Sequence, residues 1–404
     1  MHAVPSLSYR RLLRLPNLAA LLLATTLSRL AGRMVALAVV LHALARTGSP
    51  ALAGWVAFAL FAPGLITSPL AGALIDRAGA VWAITVDMAA SGLCLLGMAL
   101  AGRFGMDSAP VLLTLATLYS LTSPLSAAGI RTLIPRLVRP DARDRANALD
   151  TSIHGLTDIV GPALAGVLVG FAGAVPTFLL IALLYGATAL CVTRLRPPPA
   201  PKAAPQKLWH AALAGVLHVI RTRTLRAMAL SYALYQLTWG MLLVVVPVVA
   251  ARGVTASAGD TRTGLFWAAS GAVGICGALA AGRLRILGRE RGTMALGMAL
   301  TALAAGPVAA QGVPGLLLGL MGIAAAAGPV DIAVLTLRQR RTDPAVLGRV
   351  LSVSMSLNLA GIPLGSALAG VLLTWSLPAT FAAAAVTSAL GAAATVLIPR
   401  DDGV

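Results

Sequence analysis

The chain contains about twelve apolar stretches, each near the length that crosses a lipid bilayer. A spanning helix needs about 20 mainly apolar residues, and such stretches follow one another between charge clusters and Pro/Gly turns. Only 11% of the 404 residues are charged and 58% are hydrophobic, whereas soluble domains are about 25% charged. The composition excludes a soluble enzyme and predicts an all-α membrane protein with twelve transmembrane helices. The predicted spans are 17–44, 51–75, 80–102, 110–134, 147–171, 174–194, 225–251, 263–282, 292–311, 314–337, 350–375 and 378–398.

The basic residues are distributed unevenly over the connections between these spans. The formal net charge is +18, which in a soluble chain would indicate nucleic-acid binding. The amino terminus and every second connection together carry 25 of the 31 Lys and Arg residues. The positive-inside rule therefore predicts a multi-pass membrane protein with both termini cytoplasmic, and we expect it in the plasma membrane. Since the charge alternates with the loops and does not cover one face of a domain, no nucleic-acid partner is expected.

The second half of the chain repeats the first. With an offset of 204 residues, 131–170 aligns with 335–374 at 13 identities in 40 positions, including GPALAGVL from Gly161 and GSALAGVL from Gly365. Because this offset is about half of the chain, we expect a duplicated six-helix unit. The predicted units are an N-terminal bundle (1–195), a basic, proline-rich cytoplasmic linker (196–222) and a C-terminal bundle (223–404).

These features resemble the major facilitator superfamily over essentially the whole chain. The loop AGALIDRAG after the second span is similar to the superfamily signature GxLxDRxGRR through Gly72, Asp76 and Arg77. The segment RANAL at 145–149, followed by IVGPALAGVL, resembles bacterial siderophore and drug exporters. The resemblance implies the fold of two pseudo-symmetric six-helix bundles and a secondary active transporter that works by alternating access.

Two spans depart from the pattern of drug/proton antiporters. Those antiporters usually carry an arginine deep in the fourth helix, but here this region reads LYSLTSPLSAAG, without a charge before Arg131. In the fifth span, Thr157 and Ala165 stand where the pattern GxxxGPxxGG has glycine. The coupling mechanism of those antiporters therefore does not carry over residue by residue.

Two pairs of ionisable residues lie inside predicted spans, where a central Arg or Asp costs about 2.5 to 3.5 kcal/mol. Arg29 and Arg33 are four residues apart in the first span, hence on one helix face. They are candidates for binding an anionic group or a coupling carboxylate. His154 and Asp158 have the same spacing in the fifth span, and an imidazole beside a carboxylate can handle protons. For both pairs the alternative is structural polar or ionic contacts between helices, including one from Arg33 to Asp158.

The resemblance also implies a gate on the cytoplasmic side. A carboxylate at Asp76 would meet exposed backbone N–H groups and the positive end of a helix dipole near 350–352, latching the halves in the outward-open state. Asp87 and Asp331 lie near the cytoplasmic ends of the third and tenth spans, where we expect them to pair with nearby arginines. The predicted cytoplasmic gate comprises Gly72, Asp76, Arg77, Asp87, Arg131 and Asp331.

Polar and aromatic side chains at helical spacing are predicted to line a path for an amphipathic small molecule. They lie on the fourth span and on the seventh span, where Tyr232 begins the series. Polar helix packing is the alternative. The residue at the repeat position of His154 is uncharged, so any proton chemistry is expected to be asymmetric between the halves. The candidates for the substrate and proton pathway are Arg29, Arg33, Tyr119, His154, Asp158, Tyr235, Gln236, Trp239 and Asn358.

The sequence thus favours proton-coupled export of amphipathic small molecules, such as drugs or secondary metabolites. Import, or flipping of a lipid-like substrate by the same fold, is the alternative, and a membrane receptor without transport activity is a further one. No GxxxxGK[ST] motif is found, so ATP is not expected as the direct energy source. The three cysteines lie far apart inside apolar stretches, and no cofactor, metal site or disulfide is predicted. The expected partners are the substrate, protons and the lipid bilayer, and the protein is expected to be a monomer.

Overall fold

The computed structural model describes residues 12, 14–139, 142–198, 217, 219–283, 288–342 and 357–399. Within these residues the regular structure is helical, in twelve α-helices followed by a single 3₁₀ turn at Thr395–Leu397. The helices are α1 (Pro16–Thr47), α2 (Pro50–Ala78), α3 (Ala80–Arg103), α4 (Ala109–Leu137), α5 (Arg143–Ala172), α6 (Ala174–Thr193), α7 (Arg223–Ala250), α8 (Ala256–Arg283), α9 (Glu290–Ala304), α10 (Gly306–Arg340), α11 (Gly361–Leu373) and α12 (Leu377–Ala394).

Short turns between the helices follow from glycine, serine and proline at the helix ends. Helix α1 ends at Gly48 in the left-handed conformation, with φ of 62°, which glycine adopts without steric cost. One residue later, the Ser49 hydroxyl accepts a hydrogen bond from the Leu52 backbone N–H at 3.2 Å. Pro50 then occupies the first helical position, where a backbone N–H is not needed. These local signals force the chain to reverse between α1 and α2.

The predicted all-α membrane fold is confirmed. Ten of the described helices are long and apolar enough to cross a membrane, and Leu357–Leu373, which contains α11, is a shorter apolar helix. The predicted break between the ninth and tenth spans agrees with the structure, because the chain kinks at Gly312, with φ of 63°, and the apolar span 312–340 begins there. The ninth span is shorter than predicted, since α9 ends at Ala304 and a second helix, α10, begins at Gly306.

The helices pack as two groups of six. Helices α1 to α6 contact one another most extensively through α3–α6, α2–α4 and α3–α4, and α7 to α12 through α7–α11, α8–α10 and α9–α10. The two groups meet mainly where α5 packs on α8 and where α2 packs on α11. The boundaries predicted for the linker stay a prediction, because 199–216 lie outside the described residues.

Successive helices run antiparallel, so the connections alternate between two faces of the molecule. We call the face at which α1 begins, which carries Arg77, Arg194 and Arg283, the basic face. The other face, which carries the α1–α2 and α3–α4 connections, is the opposite face. The arginine-rich ends of the helices therefore meet on one side of the fold.

Glycines bring the two groups into contact near the opposite face. A Cβ atom on Gly166 of α5 would lie 2.5 Å from Cα of Gly264 on α8. A Cβ atom on Gly54 of α2 would lie 2.8 Å from Cα of Gly370 on α11. Neither position tolerates a side chain without a backbone shift, so backbone packs directly on backbone. The two groups are therefore closed against each other at this end.

Candidate transport site

Helices α1 and α5 approach closely because a glycine of α5 faces an arginine of α1. A Cβ atom on Gly161 would overlap Cβ of Arg33, and a Cβ atom on Gly365 would overlap the backbone of Leu237 on α7. The two glycines are 204 residues apart, as are Arg33 and Leu237. The duplicated unit thus builds the same helix contact twice, with an arginine in one half and a leucine in the other.

A ladder of charged groups joins α1 to α5. Arg29 donates from Nη2 to Oδ2 of Asp150 at 2.9 Å and from Nη1 to the Asp150 carbonyl oxygen at 2.7 Å. One turn further along α1, Nε of Arg33 lies 2.5 Å from Oδ1 of Asp158. The acids are eight residues apart on α5, so both face α1. The predicted alternative in which Arg33 pairs with Asp158 is therefore the arrangement in this structure.

His154 lies between the two acids and shares the second arginine. Nη2 of Arg33 is 3.4 Å from Nε2 of His154. Because a guanidinium can only donate, this histidine nitrogen must be the acceptor and carries no proton in this arrangement. The same nitrogen is 3.8 Å from Oδ2 of Asp158, which is too long for a hydrogen bond. Arg33 thus occupies both groups that the sequence analysis assigned to proton handling.

The second step of the ladder, formed by Arg33, His154 and Asp158, is exposed, although it lies halfway along its helices. The side chains of Arg33 and Asp158 are 43% and 40% exposed, and that of His154 is 51% exposed. Arg29 and Asp150 are only 19% and 18% exposed. The two six-helix groups pack against each other near the opposite face. We therefore interpret the exposure of these side chains as a central cavity that opens toward the basic face.

We interpret α7 and α10 as the other wall of this cavity, because Asp331 of α10 lies within electrostatic reach of Asp158. The Tyr232 hydroxyl donates a hydrogen bond to Oδ1 of Asp331 at 2.6 Å, and its ring centroid lies 5.7 Å from that of Tyr235. The Asp331 side chain is exposed, and the charge of Asp158 acts on it electrostatically. Asp331 thus faces the charged ladder and hydrogen-bonds to a tyrosine, whereas the sequence analysis assigned it to an arginine-rich gate.

The remaining candidates on the second half are more buried than the sequence analysis implies. Tyr235, Gln236 and Asn358 are 1%, 8% and 4% exposed, and Cβ of Gln236 packs closely on Gly361. Trp239 is half-buried and stacks on Trp267 of α8, with ring centroids 6.3 Å apart. These contacts favour a packing role for the buried residues, which is the alternative that the spacing left open, and leave Trp239 at the edge of the cavity.

On the first half, the predicted polar band of α4 is engaged with α3 and α6. Tyr119 and Tyr185 of α6 share a hydrogen bond of 2.7 Å between their hydroxyls. Asp87, 1% exposed, accepts a hydrogen bond from Ser91 at 3.2 Å and lies near the hydroxyls of Thr122 and Ser126 on α4. Among the described residues, the neighbours of the Asp87 carboxylate are thus hydroxyl groups and not the expected arginines.

The predicted latch falls partly outside the described residues. Gly72 and Arg77 lie in the last turns of α2 at the basic face, and Arg131 is exposed in the last turns of α4. The side chain of Asp76 and residues 350–352 are not described. The contact between them stays a prediction.

The sequence analysis missed Asp150. It assigned no role and no partner to this residue. Asp150, His154 and Asp158 follow one another at intervals of four residues, so helical periodicity alone places all three on one face. That spacing, set against the same spacing of Arg29 and Arg33, was the signal for the complete ladder.

The fold and the charged central cavity together define a membrane transport protein with two pseudo-symmetric halves. The family model of the Major Facilitator Superfamily matches residues 21–286 and 228–404. The chain belongs to the major facilitator superfamily, whose members transport small-molecule substrates and are not enzymes.

Two relatives align with most of the chain. An uncharacterized MFS-type transporter, y4rN, of Sinorhizobium fredii is 52% identical over 98% of both chains. The multidrug efflux pump Tap of Mycobacterium tuberculosis is 30% identical over 85% of this chain and 84% of its own length. Both relatives are thus similar to this protein across the two halves.

The fold is also found among solved structures. The crystal structure of the nucleoside transporter NupG superposes with a TM-score of 0.71 and covers 95% of this chain and 97% of its own. At 14% sequence identity, this likeness concerns the fold alone.

Proposed function

We propose that this protein is a proton-coupled exporter of amphipathic small molecules that works by alternating access in the plasma membrane. The similarity to a multidrug efflux pump over 85% of the chain supports export and a drug-like substrate. The cavity supports the same substrate class, since it combines an apolar, partly aromatic wall with a few charged and hydroxyl groups. We expect the protein to act as a monomer, since one chain contains both halves of the transport unit.

The basic face is cytoplasmic in this proposal. It carries most of the arginines, and positively charged connections remain on the cytoplasmic side of membrane proteins. Both termini then lie in the cytoplasm. With the opposite face closed by the glycine contacts, the structure corresponds to an inward-open state in which the cavity can take up substrate from the cytoplasm.

The observation that carries proton coupling is the sharing of Arg33 between Asp158 and His154. Arg33 is 2.5 Å from the carboxylate and 3.4 Å from the imidazole nitrogen. A proton on Nε2 of His154 removes the lone pair that accepts from Arg33, and a proton on Asp158 removes the charge that attracts it. Arg33 and the proton therefore compete for the same two groups.

This competition links proton binding to a movement between helices. Arg33 packs on Gly161 and bonds to side chains of α5, so it holds α1 against α5. Protonation from the outside loosens this contact, and release of the proton to the cytoplasm restores it. A bistable contact of this kind is what a coupled transporter needs, because the proton must bind its two states with different affinities.

The test is transport by purified protein in proteoliposomes with an imposed pH gradient. We expect Asp158→Asn to lose gradient-driven transport of a fluorescent amphipathic substrate, while exchange of substrate without a gradient continues. The exchange assay is the control, because it requires folding and substrate binding but not proton coupling. Normal gradient-driven transport by Asp158→Asn would remove Asp158 from the mechanism.

The direction of transport is tested in the same vesicles. Protease cleavage within the linker, 196–222, identifies the cytoplasmic side of the inserted protein. An exporter moves substrate away from that side when protons flow toward it. Accumulation on the linker side under that gradient would instead identify an importer.

A further inference from the structure

The charged groups of the cavity are paired on one wall only. On the wall formed by α1 and α5, the pairs Arg29–Asp150 and Arg33–Asp158 cancel each other's charge. On the wall formed by α7 and α10, Asp331 receives a hydrogen bond from Tyr232. Among the described residues, no basic side chain forms an ion pair with Asp331, and the carboxylate of Asp158 lies near enough to add a negative charge. Within the part of the chain that the structure describes, Asp331 is thus a cavity carboxylate without a basic partner.

The surroundings of Asp331 match one kind of ligand. Tyr232 lies half-buried beside the carboxylate, and one and two turns along α7 follow Tyr235 and the cavity-edge Trp239. Aromatic faces attract cations as well as apolar groups. A carboxylate next to aromatic rings therefore favours a cation with a bulky apolar body, and it repels an anion of the same shape.

We propose that Asp331, together with the aromatic wall of Tyr232 and Trp239, is the binding site for the positive charge of a lipophilic cationic substrate. This proposal rests on the proposed function and deepens it, since it assigns a charge to the amphipathic substrate. Arg33, on the facing wall, does not compete for Asp331 while it is held by Asp158 and His154. The substrate cation and the coupling proton then bind to different walls of one cavity.

The test uses two probes of the same shape and opposite charge, tetraphenylphosphonium and tetraphenylborate. Their affinities are measured by titration calorimetry on the purified full chain in detergent, without any gradient. We expect the cation to bind at least about tenfold more tightly than the anion, a difference of about 1.4 kcal/mol. Asp331→Asn should weaken cation binding at least about tenfold and leave anion binding unchanged or stronger.

Two further variants separate charge from structure. Asp331→Glu keeps the carboxylate and should retain the preference for the cation, and Tyr232→Phe keeps the ring and should do the same. Equal affinity of the unsubstituted protein for the two probes, or undiminished cation binding by Asp331→Asn, would overturn the proposal. If the unsubstituted protein shows no proton-driven transport, the proposed function is refuted, whereas the binding results for the two probes remain valid.

Discussion

The glycine contact between α5 and α8 predicts how strongly the closed end of the transporter resists opening. A Cβ atom added at Gly166 would lie 2.5 Å from Cα of Gly264 and 2.8 Å from the carbonyl oxygen of Asp260. An ordinary contact is 3.4 Å or longer, so Gly166→Ala leaves the two helices about 1 Å too close. Because both obstacles are backbone atoms, the contact is relieved when the helices separate.

The size of the effect follows from this overlap. Overpacking a close contact costs about 1 to 3 kcal/mol, and this cost falls on the state in which the opposite face is closed. It therefore changes the ratio of the two states about 5- to 150-fold in favour of the one open at that face. Gly370→Ala makes longer contacts, 2.8 Å to the Pro50 carbonyl oxygen and 3.0 Å to Cα of Gly54, so we expect a smaller shift in the same direction.

The shift is measured as a distance between two spin labels at the opposite face. Cysteines introduced at the exposed positions Met106 and Trp375 report on the two halves after the native cysteines are replaced by serine. The matched control is Gly155→Ala on the same helix, because a Cβ atom there meets nothing within 4 Å. If Gly166→Ala and Gly155→Ala give the same distance distribution, the glycine contact does not hold this end closed.

Three further substitutions test the site and the gate. Asp150→Asn leaves Arg29 without its carboxylate and should lower the free energy of unfolding by about 1 to 3 kcal/mol. A thermal-shift assay measures this loss of stability. The double variant with Arg29→Gln should recover part of it. Gly161→Ala pushes on Cβ of Arg33 and should reduce gradient-driven transport more than gradient-free exchange in proteoliposomes, and equal losses would contradict the coupling role. Asp76→Ala should shift the protein toward the state open at the basic face, and an unchanged accessibility of a cysteine probe at that face would refute the latch.

Helical periodicity and hydropathy predicted most of the fold. The length of the apolar stretches depends only on the bilayer, and the alternation of arginines depends only on which connections cross the membrane. For this reason the predicted spans match most of the described helices to within a few residues. The exception is the end of the ninth span, which was predicted at residue 311 although α9 ends at Ala304, because hydropathy does not register where one apolar helix ends and the next begins.

The candidate site was predicted in its components and not in its pairing. The spacing of four residues placed Arg29 with Arg33, and His154 with Asp158, on single helix faces. It did not reveal that Asp150 completes the ladder, that Asp87 lies among hydroxyl groups, or that Asp331 bonds to Tyr232. The contacts of Asp150 and Asp331 join helices that are distant in sequence, and the hydroxyls near Asp87 depend on how α3 packs on α4.

The sequence by itself therefore determined that this protein lies in a lipid bilayer. It also determined the number and order of the spans, the duplication, and the helix faces on which the intramembrane charges lie. Only the tertiary structure decided which charged side chains form ion pairs with each other. Periodicity is a property of one helix, whereas pairing depends on how far two helices approach and at which height they cross. Here glycines allow the helices to approach closely. Gly161 lets Arg33 pack near Asp158, and Gly166 lets α5 pack on α8.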